Sequence, residues 1–190
     1  MKKINIKDII VPAAALLIFC LVATAILAGT NMITSVKIAD NAVQTEILSR
    51  QEVLPEGASY SDVTTLDNGV TYCIGTDASG EQAGYVFTAG AKGYGGTVSV
   101  MVGLDNDGAI TGLKILSHSE TPGLGANATK ESFRDRFIGK SGTLTVNKNS
   151  NDGQNVQAIT AATITSNAVV SAVNLITDAY SQITGGENNG

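Results

Sequence analysis

Tryptophan is absent from these 190 residues, and aromatic residues make up only 5% of them. A core must therefore be assembled from Val, Ile, Leu and Ala. Histidine occurs once, as His118, and cysteine twice, as Cys20 and Cys73. That inventory is too small for a zinc or iron–sulfur centre, so no metal site is expected within the chain. Cys20 falls inside an apolar run and Cys73 well beyond it. No intrachain disulfide is expected, which leaves the redox compartment open. No spacing suggests a Ser–His–Asp arrangement, and no catalytic residue is expected. Internal repeats are absent too. Positive charge is in short supply: 12 Lys and Arg face 17 Asp and Glu, for a net charge of −5. Lys2, Lys3 and Lys7 crowd the start, so the remainder is more acidic still. An acidic surface repels phosphate backbones, and nucleic acid is not an expected partner.

One long stretch lacks charge altogether. From Ile9 to Gly29 the chain reads IIVPAAALLIFCLVATAILAG. As a helix it spans about 30 Å, the thickness of a hydrocarbon core. Lysines precede it and the first charge after it is Lys37. The positive-inside rule puts residues 1–8 in the cytoplasm, 9–29 across a lipid membrane and Thr30 onward outside. Ala23-Thr24-Ala25 resembles a signal-peptidase site, but the apolar run is longer than a signal core and continues past it. Pro12 sits in the first turn, where a missing amide costs least. Cys20, near the middle, reads as a small buried hydrophobe.

Residues 31–51 contain neither Gly nor Pro, and Ile33, Val36, Val43, Ile47 and Leu48 recur at near-helical spacing. A helical connector is expected over 30–55, ended by Pro55-Glu56-Gly57. From Gly69 the period becomes two, and strands are expected at 70–75, 84–90, 97–105, 109–117 and 144–148. Asp77-Ala78-Ser79-Gly80 and Asn106-Asp107-Gly108 are turn signals, the second joining a hairpin. Short and long helices are expected over 128–137 and 165–180, the latter with Val169, Val173, Ile176 and Tyr180 on one face. The tail 185–190 reads as disordered. The fold class is α+β.

Three segments carry polar or glycine-rich chemistry. In ITAATITSNAV, residues 159–169, the hydroxyls of Thr160, Thr163, Thr165 and Ser166 crowd the start of the last helix. Free amides and the positive dipole end there suit a phosphate; the same residues serve equally as an ordinary hydroxyl cap. In SHSETPGLGANAT, residues 117–129, Pro122-Gly123 forces a turn, and Gly123 and Gly125 permit close backbone approach to a ligand. His118 in that loop reads as a hydrogen-bonding group rather than a catalyst. In AGAKGYGGTVSVMVGLD, residues 89–105, Gly93, Gly95 and Gly96 flank Tyr94. This is no phosphate loop, since it leads into a strand, and it reads as a glycine-rich turn.

Taken in order behind one apolar helix, these segments resemble the RnfG family, the FMN-binding component of the Rnf complex, which is the ion-translocating ferredoxin:NAD oxidoreductase of bacterial membranes. KGYGGTVSVMVGLDNDGAITGLKILSHSETPGLG carries most of the likeness, and TAATITSNAV is similar to that family's flavinylation motif. The resemblance implies a single extracytoplasmic FMN-binding domain, residues 56–184, with a mainly antiparallel sheet and flanking helices. It implies one FMN per chain, joined through its phosphate to Thr163 by a flavin transferase that uses FAD. Glu120, Thr121, Gly123, Leu124, Thr160, Ala162 and Thr165 would lie about the cofactor. The partners implied are the other Rnf complex subunits, RnfA, RnfB, RnfC, RnfD and RnfE, in the bacterial inner membrane, with electron transfer coupled to Na⁺ or H⁺ translocation. Two positions depart from the motif. Ala161 replaces the usual Gly, a small change, and Gln157 replaces a frequent Asp, which would weaken recognition by the transferase. The NqrC family, from the Na⁺-translocating NADH:quinone oxidoreductase, shares the anchor, domain and motif and is the nearest alternative. An anchored binding or scaffold domain without flavin is the alternative of another class.

Overall fold

A computed structural model describes residues 6–185, apart from several side chains between 6 and 44. Two compact units divide the chain, Met1–Glu46 and Ile47–Gly190. Helix α1, Ile6–Val53, supplies nearly all of the first. From Ile10 to Leu27 its described apolar side chains stand exposed, among them Leu16, Phe19, Val22 and Leu27. Thr24 and Thr30 turn their hydroxyls back onto the carbonyls of Cys20 and Ile26, at 2.7 and 2.9 Å. That back-bonding satisfies each polar side chain inside the helix itself. Among the described residues, no helix is long and apolar enough to cross a membrane. The expected tail lies outside the described residues except for Gly185, and so do residues 1–5 of the expected cytoplasmic start.

The second unit is built on an antiparallel sheet. Its strands are β1 (Ser59–Tyr60), β2 (Thr64–Thr65), β3 (Thr71–Thr76), β4 (Gln82–Lys92), β5 (Thr97–Leu104) and β6 (Ile110–Ser117). They lie in the order β1-β3-β4-β5-β6, with β2 also paired to β3. Both expected turns close as Asx turns. Asp77 Oδ1 accepts from the amides of Ser79 and Glu81, and Asp105 Oδ1 from those of Asp107 and Ala109. Gly80 and Gly108 take the positive φ that the turns require, 87° and 79°.

Alternation decides what each face of the sheet meets. Tyr85, Phe87 and Ala89 of β4 and Val98, Val100, Val102 and Leu104 of β5 point to one side and are buried. Helix α3, Thr163–Gly185, covers them with Val169, Val173 and Ile176, each 0% exposed. Tyr180, four residues on, sets its ring edge-on to Tyr85 at 5.5 Å and donates to the Asn106 carbonyl. The opposite face holds Cys73, Val86 and Met101, covered by Val53 and Leu54 from the end of α1. The backbone comes close here because Gly103 and Gly112 are direct partners across β5 and β6. A Cβ on Gly103 would overlap the Val53 carbonyl oxygen, and one on Gly112 would stand 2.5 Å from the Val53 Cα. Thr111 donates its hydroxyl to that same carbonyl at 2.6 Å. Glu52 adds bonds of 2.6 Å to Lys114 and to Arg134, which hold its carboxyl below the usual carboxylate range.

One expectation needs correction. Residues 128–137 do not form one helix. A 3-10 turn, Gly125–Thr129, is followed by α2, Glu131–Arg134, and a second 3-10 turn, Asp135–Phe137. Lys130 between the first two is extended, at ψ 140°, and breaks the run. Burial of Ala128, Phe133 and Phe137 holds the broken path in place. The strand expected at 144–148 is β7, Thr145–Asn147, paired in parallel with an unexpected β8, Asn155–Gln157. Asn174 of α3 makes strand-like bonds to both the amide and the carbonyl of Leu144, at 2.8 and 2.9 Å.

The glycine notch is testable. Gly103→Ala forces the end of α1 off the sheet and lowers the unfolding free energy by about 1–3 kcal/mol. Gly75→Ala meets side chains rather than backbone, a methyl of Leu54 at 2.5 Å and the Tyr60 ring at 3.4 Å, and costs less. Urea unfolding of the two variants beside the parent protein makes the comparison.

Candidate functional site

The β4–β5 turn, the loop after β6 and the first turn of α3 converge at one end of the second unit. Glu120 joins all three. Its Oε2 accepts from the Thr165 hydroxyl at 2.5 Å, and its Oε1 from the Gly95 amide at 2.9 Å. The side chain is buried, at 5% exposure. Burial pushes its pKa up, but the donors Thr165, Gly95 and Tyr94 outweigh that, and the carboxyl lies below its ordinary value. Glycine is required around it. A Cβ on Gly93 would overlap Oε1, one on Gly125 would stand 2.6 Å from Oε2, and one on Gly95 would overlap the Ser119 carbonyl.

The loop is shaped by its own backbone. Thr121 carbonyl accepts from the amides of Leu124 and Ala126, and Gly123 takes φ 78° in the Pro-Gly turn. Asn127 braces that turn by donating to the Gly123 carbonyl at 2.8 Å. His118, half-buried, accepts from the Glu120 amide through Nδ1 at 3.2 Å, the hydrogen-bonding role read from the sequence.

Helix α3 begins at Thr163, two residues before the expected start. Ser166 rather than Thr165 ties its first turn to the incoming chain, accepting from the Ile159 amide and donating to the Ala162 carbonyl. The amides of Thr163, Ile164 and Thr165 have no acceptor among the described residues. They present partial positive charge at the helix end. Ala161, just before, has φ 60°, a conformation that L side chains rarely adopt. This is the position where the resembled motif carries Gly, so Ala there is a strained substitution and not merely a small one.

A cleft of about 650 Å³ opens between the loop and the helix start. Glu120, Thr121, Leu124, Ala162, Thr163 and Thr165, six of the eight residues proposed from the sequence, line it. Gly123 sits in the supporting turn and not on the wall. Thr160 lines an adjoining hollow of about 360 Å³ with Lys148, and the two cavities share Ala161 and Thr163. Tyr94 and Ile164 also line the cleft, 72% and 55% exposed, and sequence reasoning missed both. The signal for Tyr94 was an aromatic ring set between glycines on a turn, where nothing can cover it. Among the described residues, no group of His, Cys, Asp and Glu is placed to hold a metal ion.

This arrangement can accept a ligand with an apolar planar part against Tyr94, Leu124 and Ile164 and an anionic end at the α3 amides. Residues 93–178 match the FMN-binding domain family, and residues 1–53 match the RnfG N-terminal region. The chain is 37% identical to the G subunit of the Na⁺-translocating ferredoxin:NAD⁺ oxidoreductase complex of Acetobacterium woodii, covering 96% of this chain and 97% of that one. It is 36% identical to the G subunit of the proton-translocating complex of Clostridium ljungdahlii, covering 90% and 91%. In fold it resembles the crystal structure of Shewanella oneidensis NqrC, with a TM-score of 0.50 and 22% identity over 66% of each chain.

Two outcomes follow from this geometry. Ala161→Gly relieves the left-handed strain and raises the unfolding free energy by up to about 1 kcal/mol, after the entropy cost of glycine. Thermal unfolding measures it. Because the folded pKa of Glu120 is depressed, its contribution is present above the unfolded value and lost as pH falls through the folded one. Stability against urea therefore declines on acidification, and Glu120→Gln flattens that part of the curve.

Proposed function

The chain belongs to the RnfG family of ion-translocating ferredoxin:NAD⁺ oxidoreductase complexes, and on that footing we propose that it carries FMN covalently at Thr163 and passes electrons between other subunits. The observation that carries this reading is the position of Thr163. Its side chain stands where the cleft meets the α3 amides that have no acceptor. A phosphate esterified to that hydroxyl would meet the positive end of a 23-residue helix. Lys148, on the adjoining hollow, adds a cation on the same side.

The residues fit the cofactor. The cavity has the size of a small-molecule site. Tyr94, Leu124 and Ile164 offer apolar surface for the ring, and Thr121 and Thr160 offer hydroxyls for the ribityl chain. Bound flavin supplies the exchange between two-electron and one-electron carriers; the protein supplies position and field. Glu120 holds the loop and the helix start at a fixed separation, and Pro122-Gly123 shapes the loop that carries Leu124. Attachment forms the bond from Thr163 Oγ to the FMN phosphorus of FAD and breaks the pyrophosphate, releasing AMP. A flavin transferase is the proposed catalyst.

Membership of the family makes other complex subunits its partners, and RnfA, RnfB, RnfC, RnfD and RnfE are proposed individually. We also propose residues 9–29 as a single membrane span, with residues 1–8 cytoplasmic and the flavin domain outside; the connector shortens from the expected 30–55 to 30–46, and the domain lengthens from 56–184 to 47–184, because Val53 and Leu54 pack on the sheet. An uncharged stretch, exposed apolar side chains from Ile10 to Leu27 and self-satisfied threonines support the span. The two named relatives translocate different ions, sodium in one and protons in the other. Likeness to NqrC is one of fold, and the relatives from ferredoxin:NAD⁺ oxidoreductase complexes favour the Rnf reading over the quinone-reductase one.

Protein produced together with the transferase should show, by intact mass, one added FMN less water, and fluoresce as a denatured band. Thr163→Ala loses both signals and Thr160→Ala keeps them. An unmodified parent chain would leave the flavin-free scaffold as the better reading, and a modified Thr163→Ala would move the attachment elsewhere.

A further inference from the structure

Among the described residues, Glu120 is the only charged side chain on the cleft wall. It is also buried, and neither oxygen meets a cation. Oε1 takes the Gly95 amide and Oε2 the Thr165 hydroxyl, both neutral donors. Neutral donors satisfy lone pairs without cancelling the charge. Glu120 thus differs from Glu52, whose two oxygens meet Lys114 and Arg134. The other titratable groups about it are His118 on its own loop and Tyr94 on the β4–β5 turn. The carboxylate is held in place as well, by the two hydrogen bonds and by backbone at Gly93 and Gly125 that leaves no room for a Cβ.

A structural tie between three segments needs only hydrogen-bonding capacity. A glutamine in the same place has that capacity: its amide oxygen accepts from Gly95, and its amide nitrogen donates to a Thr165 hydroxyl turned to accept. The charge is therefore surplus to the tie and acts on whatever fills the cleft. Resting on the flavin reading above, we propose that Glu120 is a potential-setting residue, a fixed negative charge in the cleft wall that disfavours the anionic reduced state of the bound ring. Reduction by two electrons with one proton leaves a net negative charge on an isoalloxazine; two electrons with two protons leave none. A neighbouring anion in a medium of low polarity opposes the first outcome and favours the second. The charge raises the pH at which the reduced ring gives up its second proton, and above that pH it moves the midpoint to more negative potential.

The test uses the full-length chain carrying FMN, in detergent, titrated with dithionite and mediator dyes over a range of pH. Intact mass is recorded first for every variant, so absence of FMN from the parent chain counts against the attachment reading and not against Glu120. At pH above the break, Glu120→Gln should move the midpoint to more positive potential. It should also shift the break in the plot of midpoint against pH to lower pH. Glu81→Gln removes one negative charge from the hairpin at the far end of β4, an 11-residue strand, and should move neither. Where Glu120→Gln does not fold, Ile164→Lys places an opposing charge on the exposed cleft wall and must move the midpoint positive over the same pH range. A flavinylated Glu120→Gln with the parent's midpoint and break overturns the proposal. So does a Glu81→Gln shift of equal size, or an unmoved Ile164→Lys.

Discussion

Everything at the functional end of this protein depends on one buried carboxylate. Glu120 binds an amide of the β4–β5 turn with one oxygen and a hydroxyl of α3 with the other, and its own main chain belongs to the loop between β6 and the 3-10 turn. Three segments far apart in sequence thereby share a single node. Burying such a group unsatisfied costs several kcal/mol, which makes the node cooperative: it is either complete or expensive. The glycines at 93, 95 and 125 belong to the same constraint, since each clears space that a side chain would occupy. The cleft is the gap left over when that packing is satisfied.

The sheet obeys a second constraint, which is that both of its faces are covered by helix, in different ways. Helix α3 lies over a broad aliphatic and aromatic surface by ordinary side-chain packing. The end of α1 instead approaches backbone to backbone, through the paired glycines 103 and 112 and the Thr111 hydroxyl. Two-sided cover explains why β5 is buried on both faces along its second half. It also explains why its alternation blurs into a continuous run, Val100 to Leu104.

Much of this was legible in the sequence. The hairpins announced themselves through period-two alternation and Asx-Gly turns, and the buried face of α3 followed from Val169, Val173, Ile176 and Tyr180. Strands β1, β2 and β8 have two or three residues each, too few for any period to register. Residues 128–137 read as one short helix in the sequence; the break at Lys130 carries no Gly or Pro to signal it. At the cleft, Thr163 and its hydroxyl neighbours stood out by composition. Glu120, Thr121 and Leu124 came from family resemblance, because nothing local marks a loop glutamate that pairs with a residue 45 positions away. Tyr94 and Ile164 escaped both routes. Each becomes meaningful only when a tertiary cleft turns an exposed apolar side chain into a wall.

The glycine notch under α1 bears on where this protein can be cut. Sequence alone suggests excising the soluble part after Pro55, where the helix stops. The structure places Val53 and Leu54 inside the domain, at 0% and 1% exposure, with the compact unit beginning at Ile47. A fragment starting at residue 56 would bare Met101, Val86 and the two glycines to water and present a flat, unpaired apolar surface to its neighbours. One starting at residue 47 keeps its own lid. The last two turns of the helix are thus domain, and only what precedes them is available to serve as anchor.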